Sequence, residues 1–271
     1  THNKFNSNSR NFGLRIMGVL NTSNRAGASG QGSGGGGASF YTYQIDQSLR
    51  LDGTSSQYLY KAVSGATAQT QFTVSFWIKR AGIVNSGGRQ VILGNSGGGG
   101  QIQIRADSSN DTMRYSSYGA IETDGVYRDT SGWYHFHIYR ATTDNNAAIY
   151  VNGVNQSLSS NTAGSSGIFQ NGNNLEVGSS NGGSHNFYGY VAEMYGIYDQ
   201  NLAHTVFGEF KNGVWIPKDA SASITFGSQD FYLKFENASD LGNDSSGNNN
   251  DFTSSGLTAS NQVLDSPTFG S

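Results

Sequence analysis

The chain has 271 residues, a formal net charge of -3, a pI of about 5.9, 35% hydrophobic and 13% charged residues, 38 glycines, 2 prolines and 0 cysteines. It has no Lys/Arg run longer than two residues, so it lacks the electrostatic footprint of a nucleic-acid binder. Without cysteine there are no disulfides or thiolate metal sites, and nothing approaches the ~20 apolar residues of a membrane-spanning helix; one large, turn-rich β domain is expected.

In chain order, residues 1–44 read as an Asn-, Ser- and Gly-rich arm whose linker GASGQGSGGGGAS (27–39) is flexible by composition. The apolar stretch FGLRIMGVL (12–20) contains Arg15 and no cleavage region, so neither a signal peptide nor a membrane anchor is expected. From residue 45 to 235 a period of two takes over: SLRLD, QYLY, QFTVSFWIKR, RQVILG, QIQIR, TMRY, WYHFHIYR, AAIYV, LEVG and FYGYVAEMYGIY all read as strands separated by Gly/Asn turns. In QFTVSFWIKR, Phe72, Val74, Phe76 and Ile78 share a face that can be buried, with Trp77 on the other. In WYHFHIYR the same logic buries Tyr134, Phe136 and Ile138, and leaves Trp133, His135, His137 and Tyr139 for a second sheet, a rim or a partner. Asn152-Gly153 supplies the φ > 0 pair of a tight turn. One short helix is predicted at LAHTVFGEFKNG (202–213), with Val206, Phe207 and Phe210 at helical spacing and Gly213 as its stop. Residues 236–271 read as a polar tail anchored by Phe252, Leu257 and Leu264, packing along a surface.

The order SLRLDGTSSQYL, FTVSFWIK, GWYHFHIYRATTDNNAAIYVNGV, LEVGSSNGGSHNFYGYVAEMYGIYDQNLA resembles the laminin-G-like, concanavalin A-like jelly-roll family over residues 46–216. The resemblance implies an all-β sandwich of two antiparallel sheets with one short helix and extended terminal arms. A second similarity lies in NDSSGNNND and TASNQVLDSPT: segments of this wording recur in structural proteins of tailed phages, particularly those of marine and cyanobacterial hosts. It implies a virion surface protein, such as a tail fibre, spike or capsid decoration.

Glycoside hydrolysis needs two carboxylates flanking the scissile bond. Glu122, Glu176, Glu193, Glu209 and Glu236 include no such strand pair, and Glu193 is followed at i+2 and i+4 by Tyr195 and Ile197, so no enzymatic activity is expected. His135 and His137 have i, i+2 spacing but no evident third ligand. NSGGGG (95–100) lacks the Lys-Ser/Thr sequel of a phosphate loop and reads as a turn. Calcium is the better ion candidate, with Asp240, Asn243, Asp244, Asn249 and Asp251 as oxygen ligands, against an Asx-turn cluster as the alternative. For glycan binding, Tyr118, Tyr127, Phe169, Asn171, Asn174, His185 and Tyr188 supply aromatics and amides. The expected function is therefore a non-enzymatic virion surface protein, assembled with other virion proteins as a homo-oligomer such as a trimer, that displays a lectin-like jelly roll toward host polysaccharide. A free extracellular carbohydrate-binding module is the alternative.

Overall fold

The computed structural model describes residues 40–66, 71–83, 88–105, 111–141, 146–162, 164 and 167–268. All lie in one unit, Ser39–Phe269. Residues 1–39 of the arm expected over 1–44 therefore fall outside the described residues.

The strands follow the alternating pattern: β1 (Ser48–Asp52), β2 (Tyr58–Ala62), β3 (Phe72–Arg80), β4 (Gln90–Asn95), β5 (Gln101–Arg105), β6 (Thr112–Ser116), β7 (Ala120–Val126), β8 (Tyr134–Arg140) and β9 (Ala147–Val151). They continue as β10 (Val154–Asn155), β11 (Leu158–Thr162), β12 (Asn174–Val177), β13 (Tyr188–Tyr198), β14 (Gly208–Lys211), β15 (Val214–Pro217), β16 (Phe231–Leu233), β17 (Thr253–Ser255) and β18 (Gln262–Val263). Among the described residues they form two large antiparallel sheets. The first runs β10-β9-β8-β3-β13-β1-β18, with β16 also on β13; the second runs β11-β7-β6-β5-β4-β12-β2-β17. The sandwich core lies between them. Leu49, Phe72, Val74, Phe76, Ile78, Phe136 and Ile138 from the first sheet meet Leu59, Ile102, Ile104, Met113, Tyr115 and Ile121 from the second, each at most 1% exposed. At roughly 25 cal/mol per Å² of apolar surface, this interior is the main driving force for folding.

The all-β sandwich matches the expectation, but the predicted helix at 202–213 does not form. Only His204–Val206 makes a single 3-10 turn, after which β14 and β15 form a hairpin closed by Asn212 (φ 52°) and Gly213 (φ 80°). Gly213, read as a helix stop, instead forms with Asn212 a tight hairpin turn that needs φ > 0 at both central positions. Phe207 is buried all the same, 3% exposed with its ring against Tyr195.

The hairpin and its flanks cover the outer face of the first sheet. Thr73, Ser75, Trp77, His135 and His137, outward-facing on β3 and β8, are at most 6% exposed. Hence the aromatic outer face of the 133–140 strand is buried by the chain's own segment 201–224 and by Tyr43 and Ile45.

The stretch 236–271, expected as a surface tail, gives an edge strand to each sheet: β17 pairs with β2, and β18 pairs with β1. Thr268 Oγ1 accepts from Ile45 N (2.9 Å) and donates to Ile45 O (3.0 Å), and Ser48 Oγ donates to Asp265 O (2.6 Å).

Candidate functional site

Strict alternation on β5, β6 and β7 turns Ile102, Ile104, Met113, Tyr115 and Ile121 into the core, so the intervening residues point outward. The ladders place Gln103 opposite Arg114, Arg114 opposite Glu122, and Glu122 opposite Ser160, giving a polar row across four strands of the second sheet. Arg105 and Thr112 form the neighbouring pair. Together these strands line a groove of about 560 Å³ whose walls include Arg105, Arg114, Glu122, Asp124, Val126 and Ser160.

Glu122 organises the groove. Its carboxylate accepts from Thr112 Oγ1 (2.7 Å), lies 3.4 Å from Arg105 Nη1 and pairs with Arg114 Nη1 at 3.7 Å. The Glu122 side chain is 8% exposed while those of Arg105 and Arg114 are 32% and 25% exposed, so the carboxylate sits at the floor and the guanidinium groups reach the opening. Among the described residues Gln103 Oε1 and Arg114 Nε are buried with no hydrogen-bond partner. Leaving a buried polar atom unpaired costs about 1–3 kcal/mol, so such atoms mark places where a partner belongs. Beneath one end of the groove, Arg80 Nη1 of β3 donates to Asp111 Oδ1 and to Tyr127 O, both at 2.8 Å, while Arg128 Nε donates to Asp111 Oδ2. This ties the first sheet to the strand ends that frame the site.

Of the expected glycan-binding residues, Tyr127 and Phe169 are corrected to core positions. Tyr127 is 6% exposed against Tyr134 and Phe136, and Phe169 is 3% exposed against Tyr198 and Phe231. Their rings fill the gap between sheets and present no face to a sugar. Tyr118 is 85% exposed in the β6–β7 turn, near the end of the groove formed by those strands. Asn171 and Asn174 lie at the approach to β12, three ladders away, with Asn171 Oδ1 accepting from Gly65 N. His185 and Tyr188 flank the entry to β13 in the other sheet. The seven residues do not share one site. The groove residues were missed because sequence alternation shows which side chains face outward but not which strands become neighbours.

The proposed calcium loop is a backbone clamp. Asp244 Oδ1 accepts from Tyr232 N and Ser246 N, and Oδ2 accepts from Ser246 Oγ and Asn250 N, all within 2.9 Å. Asp251 Oδ1 accepts from Asp244 N at 2.8 Å. These bonds take up both Asp244 oxygens and one of Asp251, so Asp244, on which the loop is built, is committed to the backbone and not to an ion, as in the Asx-turn alternative. Among the described residues no group of three or more His, Cys, Asp or Glu side chains is placed to hold a metal.

On the outer face of the first sheet a serine and a histidine come together. Ser75 Oγ lies 2.8 Å from His135 Nε2, and Trp215 Nε1 donates to His135 Nδ1 at 3.0 Å. An indole N–H only donates, so Nδ1 is the acceptor and the neutral ring carries its proton on Nε2, donating to Ser75. Burial, and secondarily the charge of His204, pushes His135 down to about 3, which keeps it neutral. It is in the wrong tautomer to take a proton from Ser75. Glu193 is beside it, 6% exposed under Tyr43.

A family profile described as the concanavalin A-like lectin/glucanases superfamily matches residues 51–205. Similar solved structures include a Bacteroides ovatus protein described as a candidate carbohydrate binder (TM-score 0.52, 15% identity, 83% of this chain and 62% of that one). They also include a heptameric SAP-like pentraxin from Limulus polyphemus (0.46, 17%, 59% and 78%). A third is domain 4 of the extracellular arabinanase AbnA from Geobacillus stearothermophilus in complex with arabinotriose (0.42, 18%, 59% and 74%). At these identities the likeness is one of fold. No curated protein sequence matches significantly.

Proposed function

Since the chain belongs to the concanavalin A-like lectin/glucanases superfamily, we propose that it is a non-enzymatic carbohydrate-binding domain whose ligand lies in the groove of Arg105, Arg114 and Glu122. The observation that carries this reading is the open polar groove itself, in which Arg105, Arg114, Glu122 and Ser160 bring donors and acceptors side by side on one sheet face. Ser160 and the Arg105–Glu122 pair add fixed donors and acceptors, and a groove of about 560 Å³ falls within the ~300–1,000 Å³ of ligand sites. The absence of enzymatic activity is supported by the tautomer of His135 and the enclosure of Glu193.

The setting we propose is a virion surface, where the domain assembles with other virion proteins as a homo-oligomer and adsorbs to host polysaccharide. Its support is the similarity of the 243–268 segment to structural proteins of tailed phages. Screening the full chain against bacterial surface glycans, with release of reducing sugar measured in parallel, tests the function. Binding without release is expected, and Arg114→Ala should weaken it by about tenfold or more while leaving the melting temperature nearly unchanged, since a partly exposed ion pair contributes little. Binding that Arg114→Ala leaves intact would remove this groove as the site. Immunogold labelling of particles separates the virion setting from a free extracellular module.

A further inference from the structure

The strand β13 carries a bulge between Ala192 and Tyr195, and within it Glu193 adopts φ 48°, a left-handed conformation that costs a non-glycine residue of order 1–3 kcal/mol. The bulge turns the carboxyl outward from the sheet into a box of tyrosines. Tyr43 OH donates to Glu193 Oε1 at 2.5 Å and lies 3.0 Å from Tyr232 OH, and Tyr195 stacks on Tyr232 with centroids 4.0 Å apart. Glu193 Oε2 and Tyr195 OH are buried and have no partner among the described residues. The adjoining cavity, bounded by Ser75, Trp77, His135, Tyr195, Phe207 and Lys218, is only about 10 Å³. That is at the lower limit for a single water.

We propose that Glu193 and Tyr43 form a pH-sensitive latch: the protonated carboxyl holds the segment Phe40–Gln44 over the outer face of the first sheet, and its ionisation releases that segment. Ionisation strengthens the Tyr43 hydrogen bond to Oε1, but among the described residues Oε2 has no partner and the box has no room for hydration, and burying an ion without adequate partners is costly. Water must enter, and one wall is built to move. Tyr195 and Tyr232 belong to the paired strands β13 and β16, whereas Tyr43 lies on a segment outside any strand. That segment is held by Thr42 Oγ1 to Glu209 (3.4 Å), by Lys211 over the Phe40 ring (5.6 Å) and by the Tyr43 hydroxyl, and the Ile45–Thr268 bonds provide the hinge.

Every element packed around Glu193 brings a titratable or charged group. β13 itself gives Tyr195, β16 gives Tyr232 and Lys234, the stretch after β15 gives Lys218 and Asp219, β8 gives neutral His135, and the N-terminal segment gives Tyr43. Burial pushes the Glu193 carboxyl up to about 7, against the downward pull of the neighbouring Tyr232 and Tyr43 hydroxyls and of Lys234. Because the folded value is raised, the latch's stabilisation is fully present below the ordinary carboxyl range and is lost as pH rises through about 7.

Phe40, Tyr41 and Tyr43 are chymotrypsin targets, so cleavage after Tyr43 in the full chain, read by mass spectrometry, reports release. The rate for wild type divided by that for Glu193→Gln at the same pH cancels the protease's own pH dependence. The ratio should already exceed one at about pH 5.5, which lies above the ordinary carboxyl range, and rise about a further tenfold by about pH 8.5. Tyr43→Phe, which keeps a cleavable residue but lacks the hydroxyl, should be cut faster than wild type at low pH and converge with it at high pH. A wild-type to Glu193→Gln ratio that stays constant across this range, or a Tyr43→Phe rate equal to wild type at about pH 5.5, overturns the latch.

Discussion

Asp244 shows how one side chain can organise a segment that composition alone marks as polar and loose. Its two oxygens take hydrogen bonds from Tyr232 N, Ser246 N, Ser246 Oγ and Asn250 N, and Asp230 beside it accepts from Tyr198 N and Gly227 N. Asp230 is fully buried, and this burial pushes its carboxyl up to about 6 despite those donors. Hydrogen bonds to a charged group contribute roughly 1.5–3 kcal/mol each, and deleting the acceptor strands buried N–H groups. Asp244→Ala should therefore lower the unfolding free energy by about 3 kcal/mol or more in urea titrations, with Asp244→Asn less damaging because its amide oxygen still accepts. Addition of calcium should leave the wild-type midpoint where it is, because the same oxygens are already committed.

The β14–β15 hairpin is the element on which the two outer faces diverge. It closes the first sheet's outer surface by inserting Trp215, whose indole stacks on His135 and His204 and donates to His135. The β9–β10 turn must pass directly over that indole. Gly153 there has φ 77°, and a Cβ on it would lie 2.2 Å from the Trp215 ring. Two independent penalties therefore fall on one position: a left-handed backbone and a ring that cannot retreat. Gly153→Ala should cost about 2–4 kcal/mol in thermal or urea unfolding. Gly213, with the same sign of φ (80°) and nothing within 4 Å of a Cβ, should pay only the backbone term of about 1 kcal/mol. Among the described residues nothing of this kind covers β5, β6 and β7, and their polar row lines an open groove.

At the scale of the whole molecule the chain closes on itself. After β16 it lays β17 on the edge of the second sheet and β18 on the edge of the first, then pins Ile45 through Thr268. Open strand edges present unpaired N–H and C=O groups that template association. Truncation after Asn250 should therefore expose β2 and β1 and convert a well-behaved protein into one that aggregates, read as loss of the folded peak in size-exclusion chromatography. This closing segment thus supplies residues that complete the sandwich, Asp244, Asn261 and Thr268 among them.

The strands and their inward faces were legible because a period of two is a local property: Phe72, Val74, Phe76 and Ile78 alternate whatever the rest of the chain does, and burial follows. Turn chemistry was legible at Asn152-Gly153 for the same reason, and misleading at Asn212-Gly213, where helical spacing in Val206 and Phe207 competed with a hairpin signal. What depended on tertiary structure was everything involving partners distant in sequence. Tyr127 and Phe169 became core because of rings supplied from other strands. Trp77, His135 and Glu193 were covered by residues 43 and 201–224, and Gln103, Arg114, Glu122 and Ser160 became one row only through strand register. Local alternation determines which way a side chain points, while the free energy of packing between distant segments determines what it meets there.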